Sequence, residues 1–484
     1  MSLCDLVMTA GDSDGLPPPS PTRTRRQYGG MLSTFPTATI TGYTHLGPNC
    51  EQTKALKDYW AGRLDAEAFS QSMHSLRLNT YSHLRVLGLD EDYSIPASYT
   101  HYDHVLDTAL SVGLVASEPT GTDFDVDEYF AAARGMGQQV PFAPELEDST
   151  RFRARPQHLL SLVAEAKAAG HTIRPVLIGP VTLLALAQTS PGTGTSAFER
   201  LDELTTAYVD VISILAAAGV DWVQLDEPAL TTDVDEHSDT ELAEAASRAY
   251  ATLSRANTRP QIFVTAPHGS LRGGLPALAH SGIDALGVDV SAATRAIDPD
   301  YIVRIAAETP ASVHLVAGVI DARSVLADDL PTSLSVLQCL GRESLSVSTS
   351  TSLLLIPQPV SPDADLPAAD SARACPAEED VAEAKVAEVK ALAKAHASSR
   401  VSRPHRPLRE TGDPQQLVAS HTVFRLGGQT MPVRLHKSSD GISVGSSQDL
   451  ALIDRRGDAV AEEAFVLRQH GGDVSTRLSR RRNL

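Results

Sequence analysis

At 484 residues the chain can hold one large domain with appendages, or two or three ordinary ones. Its 60 Asp and Glu outnumber 41 Lys and Arg, a formal charge of −19, which disfavours nucleic acid and anionic membrane surfaces as partners because both need concentrated positive charge. Hydrophobic residues reach 42%, enough for a core, and no apolar run approaches the roughly 18 residues of a membrane span.

The first 30 residues are rich in Pro, Ser and Gly, and they place acids and prolines where a secretion signal needs an apolar block. We expect a disordered extension over 1–30 and a cytoplasmic protein, with Met1 and Met31 both open as translation starts. Cys4, Cys50, Cys339 and Cys375 are scattered without a short ligand spacing, so isolated reduced thiols are expected.

From about 35 to 357 short β-branched runs alternate with helical patterns. The strand candidates are 37–43, 93–100, 174–179, 221–226, 262–266, 285–290, 314–319 and 344–349. Between them, 155–170 repeats Leu159, Leu162, Val163 and Ala166 at helical spacing and ends on Gly170; 241–256 is a second good helix. Eight such alternations predict an α/β fold, a single (β/α)8 TIM-type barrel over 31–397. A doubly wound open sheet is the alternative, weakened because no Gly-x-Gly-x-x-Gly follows a strand. A helix over 381–397 follows a breaker-rich stretch. Residues 398–484 read as a linker with a small appendage or disordered tail, whose fold the pattern leaves open.

Barrel chemistry sits past the strand C-termini. That singles out Asp226 and Glu227 in DWVQLDEPAL, His268 in TAPHGS, Asp289 in GVDVS and Asp321 in GVIDAR. Adjacent acids on an extended chain project to opposite sides, so one of the Asp226/Glu227 pair points inward and the other braces a loop or helix N-terminus. An inward carboxylate can grip a substrate amine or ring nitrogen, or serve as a structural hydrogen-bonding acid; the residues alone leave both readings open. No spacing selects a metal site from His268, Asp226 and Asp289. In RPVLIGPVTLLALA, Gly179 permits a tight turn and Pro180 suits a helix start.

Taken in order, ATITGYTHLGPNCEQTKALKDYWAGRL, SYTHYDHVLDTAL, FDVDEYFAAARG, PELEDSTRF, RPVLIGPVTLLALA, AGVDWVQLDEPAL, AHSGIDALGVDV, VHLVAGVIDAR and SLLLIP resemble the N-terminal half of cobalamin-independent methionine synthase. The resemblance covers about 37–357. It implies methyl transfer from 5-methyltetrahydrofolate polyglutamate to homocysteine by two face-to-face barrels, of which this chain supplies the first. The family's folate loop, Arg-Glu-Leu-Lys, corresponds to Cys50-Glu51-Gln52-Thr53 followed by Lys54, so Glu51 and Lys54 are the substrate-binding candidates there, with Asp226, Glu227 and Asp289 at the strand ends. Two basic groups of that loop are gone, and charge-assisted bonds to a polyglutamate tail go with them.

Residues 135–144 replace an aromatic-rich family segment, and Ser350 to Leu355 lack the family's Cys and His. The family's zinc is implied to lie in the second barrel on His, Cys, Glu and Cys. No cofactor is evident in this chain, and residues 401–484 contain no cysteine. The expected function is that of a methionine-synthase-related barrel depending on a separate zinc-binding catalytic barrel. The alternatives are a non-enzymatic folate- or amino-acid-binding or scaffold barrel, a truncated gene product, and an independent enzyme built on the Asp226/Glu227 edge.

Overall fold

A computed structural model describes residues 33–114, 126–127, 129–130, 143–189, 196–233, 237–356 and 371–401, and four short strands between 423 and 444. The expectations for 1–30, for the start at Met31, for most of 135–144 and for most of 398–484 fall outside these residues. The chain divides into two compact units, Met1–Pro404 and His405–Leu484.

The first unit is built on β1 (Ile95–Ala97), β2 (Ile173–Ile178), β3 (Trp222–Asp226), β4 (Gln261–Ala266), β5 (Ala285–Asp289), β6 (His314–Ile320) and β7 (Leu345–Thr349). All are parallel and neighbours in chain order, β1 to β7. Helices intervene: α1 (Glu51–Trp60), α2 (Ala66–Val86), α3 (His104–Ser111), α4 (Gln157–Ala168), α5 (Pro180–Ala185), α6 (Leu201–Ala217), α7 (Asp239–Ser254), α8 (Gly274–Ala279), α9 (Ala292–Ile297), α10 (Tyr301–Glu308), α11 (Leu330–Leu340) and α12 (Ser371–Val401). This is the expected α/β barrel class. Covered on both faces, the strands are almost wholly buried, which is why they read as near-continuous apolar runs.

The first predicted strand, 37–43, is reduced to one bridge, Ala38 to Val347, flanked by Thr39 N donating to Val347 O and Val347 N to Thr37 O, both at 3.0 Å. Toward β1 the contact runs through side chains: Thr39 Oγ1 donates to Ser94 O (2.7 Å), and the Arg174 guanidinium bonds Ile40 O and Tyr93 O. Residues 37–40 thus meet both edges of the curled sheet. No eighth full strand forms there, and Arg174 rather than a backbone ladder holds the carbonyls of Ile40 and Tyr93.

Local signals set the helix starts. Asp65, Asp103 and Ser238 accept from N–H groups of the first turns of α2, α3 and α7. Leu159, Leu162 and Ala166 bury the inner face of α4, and Gly170 (φ 79°) follows its end. Helix α12 begins ten residues before the predicted 381. Its Lys385, 2% exposed, anchors it by donating to Leu326 O and Asp328 Oδ2, both 2.6 Å. Cys50 and Cys339 carry disulfide bonds, so the expectation of isolated reduced thiols fails for these two. In the second unit Val423–Leu426 pairs antiparallel with Gln429–Pro432, and Leu435–Ser438 with Gly441–Val444.

Candidate functional site at the barrel mouth

Strand β3 shows how the lumen is layered. Its residues alternate in direction, and Trp222, Gln224 and Asp226 share the inward side. Trp222 lies in the closed end, where Phe35 meets its ring edge-on at 4.7 Å and Phe263 at 5.0 Å. Tyr93, Ala285 and Val316 complete that apolar floor.

Above the floor sits Arg174, fully buried. Its Nε and Nη2 donate to Gln224 Oε1 at 3.0 and 2.9 Å. With its oxygen held by a cation, Gln224 must turn its amide nitrogen upward, where it donates to Asp226 Oδ1 (2.7 Å) and Thr41 O (2.8 Å). A guanidinium–amide–carboxylate relay therefore fixes Asp226 at the mouth. Burial pushes the Asp226 carboxyl up to about 7; the bond from Gln224 and the charge of Arg174 work the other way, and Glu227 adds to the rise.

Glu227, adjacent in sequence, is wholly buried and faces away from the lumen. It accepts from Val181 N (3.1 Å), Thr182 N (2.7 Å), Thr182 Oγ1 (2.6 Å) and Tyr250 OH (2.8 Å). Its carboxylate caps the start of α5, whose first N–H groups have no partner within the helix. Burial raises its range, opposed by those four bonds. A Cβ on Gly179 would collide with this carboxylate, so the glycine ahead of Pro180 makes room for Glu227. Glu227 is thereby committed to the fold, with no oxygen left for a substrate.

Asp289 ends β5 and is 1% exposed. Oδ1 accepts from Ser291 N (3.0 Å), and Oδ2 lies 3.4 Å from Arg323 Nη2 with no hydrogen-bond donor. Burial raises its carboxyl range against the pull of Ser291 and Arg323. Arg323 is aimed by Asp321, whose Oδ1 takes Arg323 N (3.0 Å), and by Ser291 Oγ, which accepts from Nη2 (3.1 Å). His268 has a left-handed backbone (φ 76°) and places Nε2 3.5 Å from Thr351 Oγ1; burial and then the Arg323 charge lower its range, and Asp289 opposes. The structure thus gathers Asp226, His268, Asp289 and Asp321 at one mouth. Asp289 Oδ2 therefore has no hydrogen-bond donor among the described residues and is met only by the ion pair with Arg323.

Glu51 and Lys54 stand elsewhere, at the start of α1. Glu51 accepts from Asn49 N (2.9 Å) and Asn49 Nδ2 (2.8 Å). Burial raises its range, but these bonds and Lys54 outweigh it and leave the carboxyl lowered. Both residues line a cavity of about 550 Å³ between α1 and α2, which His83 and Glu383 border.

Among the described residues no group of three or more His, Cys, Asp or Glu is placed to hold a metal ion, so His268, Asp226 and Asp289 do not form one. With Cys50 and Cys339 in disulfides, no described thiolate is on offer either. The donor set that a thiol-activating zinc requires is not met by these residues. No helix among them is long and apolar enough to cross a membrane.

A parallel β/α barrel with a sealed apolar floor and a polar mouth at its strand C-termini belongs to the class of barrels that bind ligands at that face. Comparison narrows the class: residues 37–344 match the family described as cobalamin-independent synthase, N-terminal domain, and the chain belongs to that family. It is 41% identical over 339 residues to a 5-methyltetrahydropteroyltriglutamate–homocysteine methyltransferase of Rhodococcus jostii, covering 66% of this chain and 43% of that protein. The enzyme of the same name in Mycobacterium tuberculosis is 38% identical over 346 residues, 68% of this chain and 44% of its own length. The chain thus spans less than half the length of these relatives.

Two solved structures share the fold. One is a putative vitamin-B12-independent methionine synthase of Listeria monocytogenes, with a TM-score of 0.54 at 12% identity over 76% of this chain and 99% of that one. The other is a B12-independent methionine synthase of Shewanella, with a TM-score of 0.50 at 13% identity over 77% and 100%.

Arg174, Gln224, Arg323 and Thr351 were not singled out from the sequence. Arg174 and Gln224 did leave a signal, as polar residues inside otherwise apolar strand runs, which a fold retains only where they are paired.

Proposed function

We propose that this chain acts in methionine biosynthesis as the first barrel of a two-barrel methyltransferase, serving methyl transfer from 5-methyltetrahydrofolate to the sulfur of homocysteine in the cytoplasm. The zinc that activates the thiol resides on a separate catalytic barrel, which is the partner of this chain. The family match over 37–344 carries this reading. The α1 cavity offers one exposed ammonium, Lys54, beside Glu51, Asp58 and Glu383. Such a surface attracts a polyanionic tail weakly, so the grip on the folate tail falls chiefly to the partner barrel.

The test is reconstitution. The purified chain, supplied with zinc, homocysteine and 5-methyltetrahydrofolate triglutamate, is expected to form no methionine. Adding a purified zinc-bearing C-terminal barrel of a related enzyme is expected to start turnover. Turnover by the chain alone would refute partner dependence, and no turnover in the mixture would refute the methyltransferase reading. In that last case the mouth, with its partly exposed Asp226 and Arg323, favours the second reading of a non-enzymatic ligand-binding barrel.

A further inference from the structure

Helix α12 buries a stripe of Ala382, Val386, Val389 and Ala393 at helical spacing, and one lysine stands within it. Lys385 is 2% exposed, at a place where an aliphatic side chain would stabilise at least as well, because a buried ammonium gives up its hydration. What the lysine reaches is the loop after β6, which carries Arg323. Its Nζ donates to Leu326 O and Asp328 Oδ2, both at 2.6 Å, and lies 3.5 Å from Glu388 Oε2 on its own helix. Glu388 Oε1 in turn accepts from Asp328 N at 3.2 Å.

From Asp328 the contacts run on to the mouth. Asp328 accepts from Asp321 N at 3.2 Å; Asp321 Oδ1 accepts from Arg323 N at 3.0 Å and lies 3.4 Å from Arg323 Nε. Arg323 Nη2 then meets Ser291 Oγ at 3.1 Å and Asp289 Oδ2 at 3.4 Å. Without Lys385, Asp328 and Glu388 would face each other with no cation between them, and repulsion would push outward the loop that holds Arg323. Ser350 Oγ accepts from Ala322 N at 3.2 Å and pins the start of that loop from the sheet side, so the release is partial. Moving Arg323 would change the charge felt at the mouth, because it holds down both the Asp289 carboxyl and the His268 ring.

We propose that Lys385 is a positioning residue for the mouth: seated on α12, it latches the loop of residues 321–329 and so holds Arg323 against Asp289. A helix packed outside the strands thereby sets the place of a cation at the open end of the barrel. The latch is made of this chain's own residues, so it stands or falls apart from the methyl-transfer reading.

The experiment reads Arg323 directly. The intact chain is treated with phenylglyoxal, which modifies accessible guanidinium groups, and the rates at Arg323 and Arg272 are followed by peptide mass spectrometry. Arg272, 36% exposed and paired with Asp233 and Asp239, is the internal reference. Lys385→Met is expected to speed modification of Arg323 about threefold or more, with Arg272 unchanged. It is also expected to lower the hydrogen-exchange protection of amides 321–329 by about tenfold. Asp328→Asn keeps one acceptor oxygen and removes the charge; it is expected to act in the same direction and decides the matter if Lys385→Met does not fold. Lys390→Met removes from the same helix the bond to Asp90 at 3.0 Å and is expected to leave Arg323 as it is. Circular dichroism checks that each variant is folded. The proposal is overturned if the folded Lys385 or Asp328 variant reacts at Arg323 no faster than the native chain. It is equally overturned if Arg272 speeds up as much, or if Lys390→Met has the same effect, since either would mark a general loosening of the fold.

Discussion

At the closed end of the lumen Phe35, Trp222 and Phe263 meet edge to face with no polar atom left over, since Trp222 Nε1 donates to Ser33 O at 3.1 Å. At the open end Asp289 Oδ2 and Ser348 Oγ have no hydrogen-bond partner among the described residues, and Asp289 Oδ2 faces Arg323 Nη2 at 3.4 Å. A single five-residue strand, β3, runs from one regime to the other, with Trp222 in the floor, Gln224 in the middle and Asp226 at the mouth. The two ends separate stability from binding along one strand. Area removed from water at the floor stabilises the barrel, and that surplus offsets the cost of charged, unpartnered groups at the mouth.

The floor is where a substitution should hurt most. Trp222→Ala removes a side chain that is 2% exposed and leaves a cavity among Phe35, Phe263 and Val316. Urea unfolding is expected to show a loss of about 3–5 kcal/mol. A loss below about 1 kcal/mol would show that the floor does not carry the barrel.

Glu227 tests the boundary between the two regimes, because it is an acid at the mouth end that works for the fold. Glu227→Gln keeps the shape but turns an NH2 toward the donors of Val181, Thr182 and Tyr250. At least one buried donor then goes unmet, and the expected loss is about 2–3 kcal/mol by urea unfolding. If Glu227→Gln unfolds at the same urea concentration as the native protein, the assignment of Glu227 to the fold is wrong.

The barrel class was legible because β2 to β7 are short β-branched runs separated by helical spacing, and each of them forms within a residue or two of its predicted place. The first strand was misread as a full strand because 37–43 has the right residue types. What the structure has there instead is a tertiary contact, Arg174 donating to Ile40 O and Tyr93 O, to which local propensity is blind. Asp226 and Asp289 could be picked out as acids past strand ends, but the direction of Glu227 depends on α5 arriving beneath it. Arg323 was invisible for a similar reason: it reaches Asp289 only because β5 and β6 are neighbours in the sheet. The state of Cys50 and Cys339 was also beyond spacing arguments, since pairing between distant cysteines is decided by the fold.

The smallest effect has the opposite sign. Asp226→Asn keeps an acceptor for Gln224 Nε2 and removes the charge that burial disfavours. In the native protein this carboxyl is raised to about 7 from an ordinary 3.8, so between those values the folded state holds a proton that the unfolded chain releases. The group's contribution to stability is therefore fully present below about pH 4, falls as pH rises toward 7 and is level above it. The variant does not titrate there. Its melting curve should match the native protein at pH 4 and exceed it at pH 8, by about 1–2 kcal/mol after allowance for partial exposure. Equal stability at pH 8 would mean that Asp226 carries no such cost, and the contrast between the two ends of the lumen would then rest on Asp289 alone.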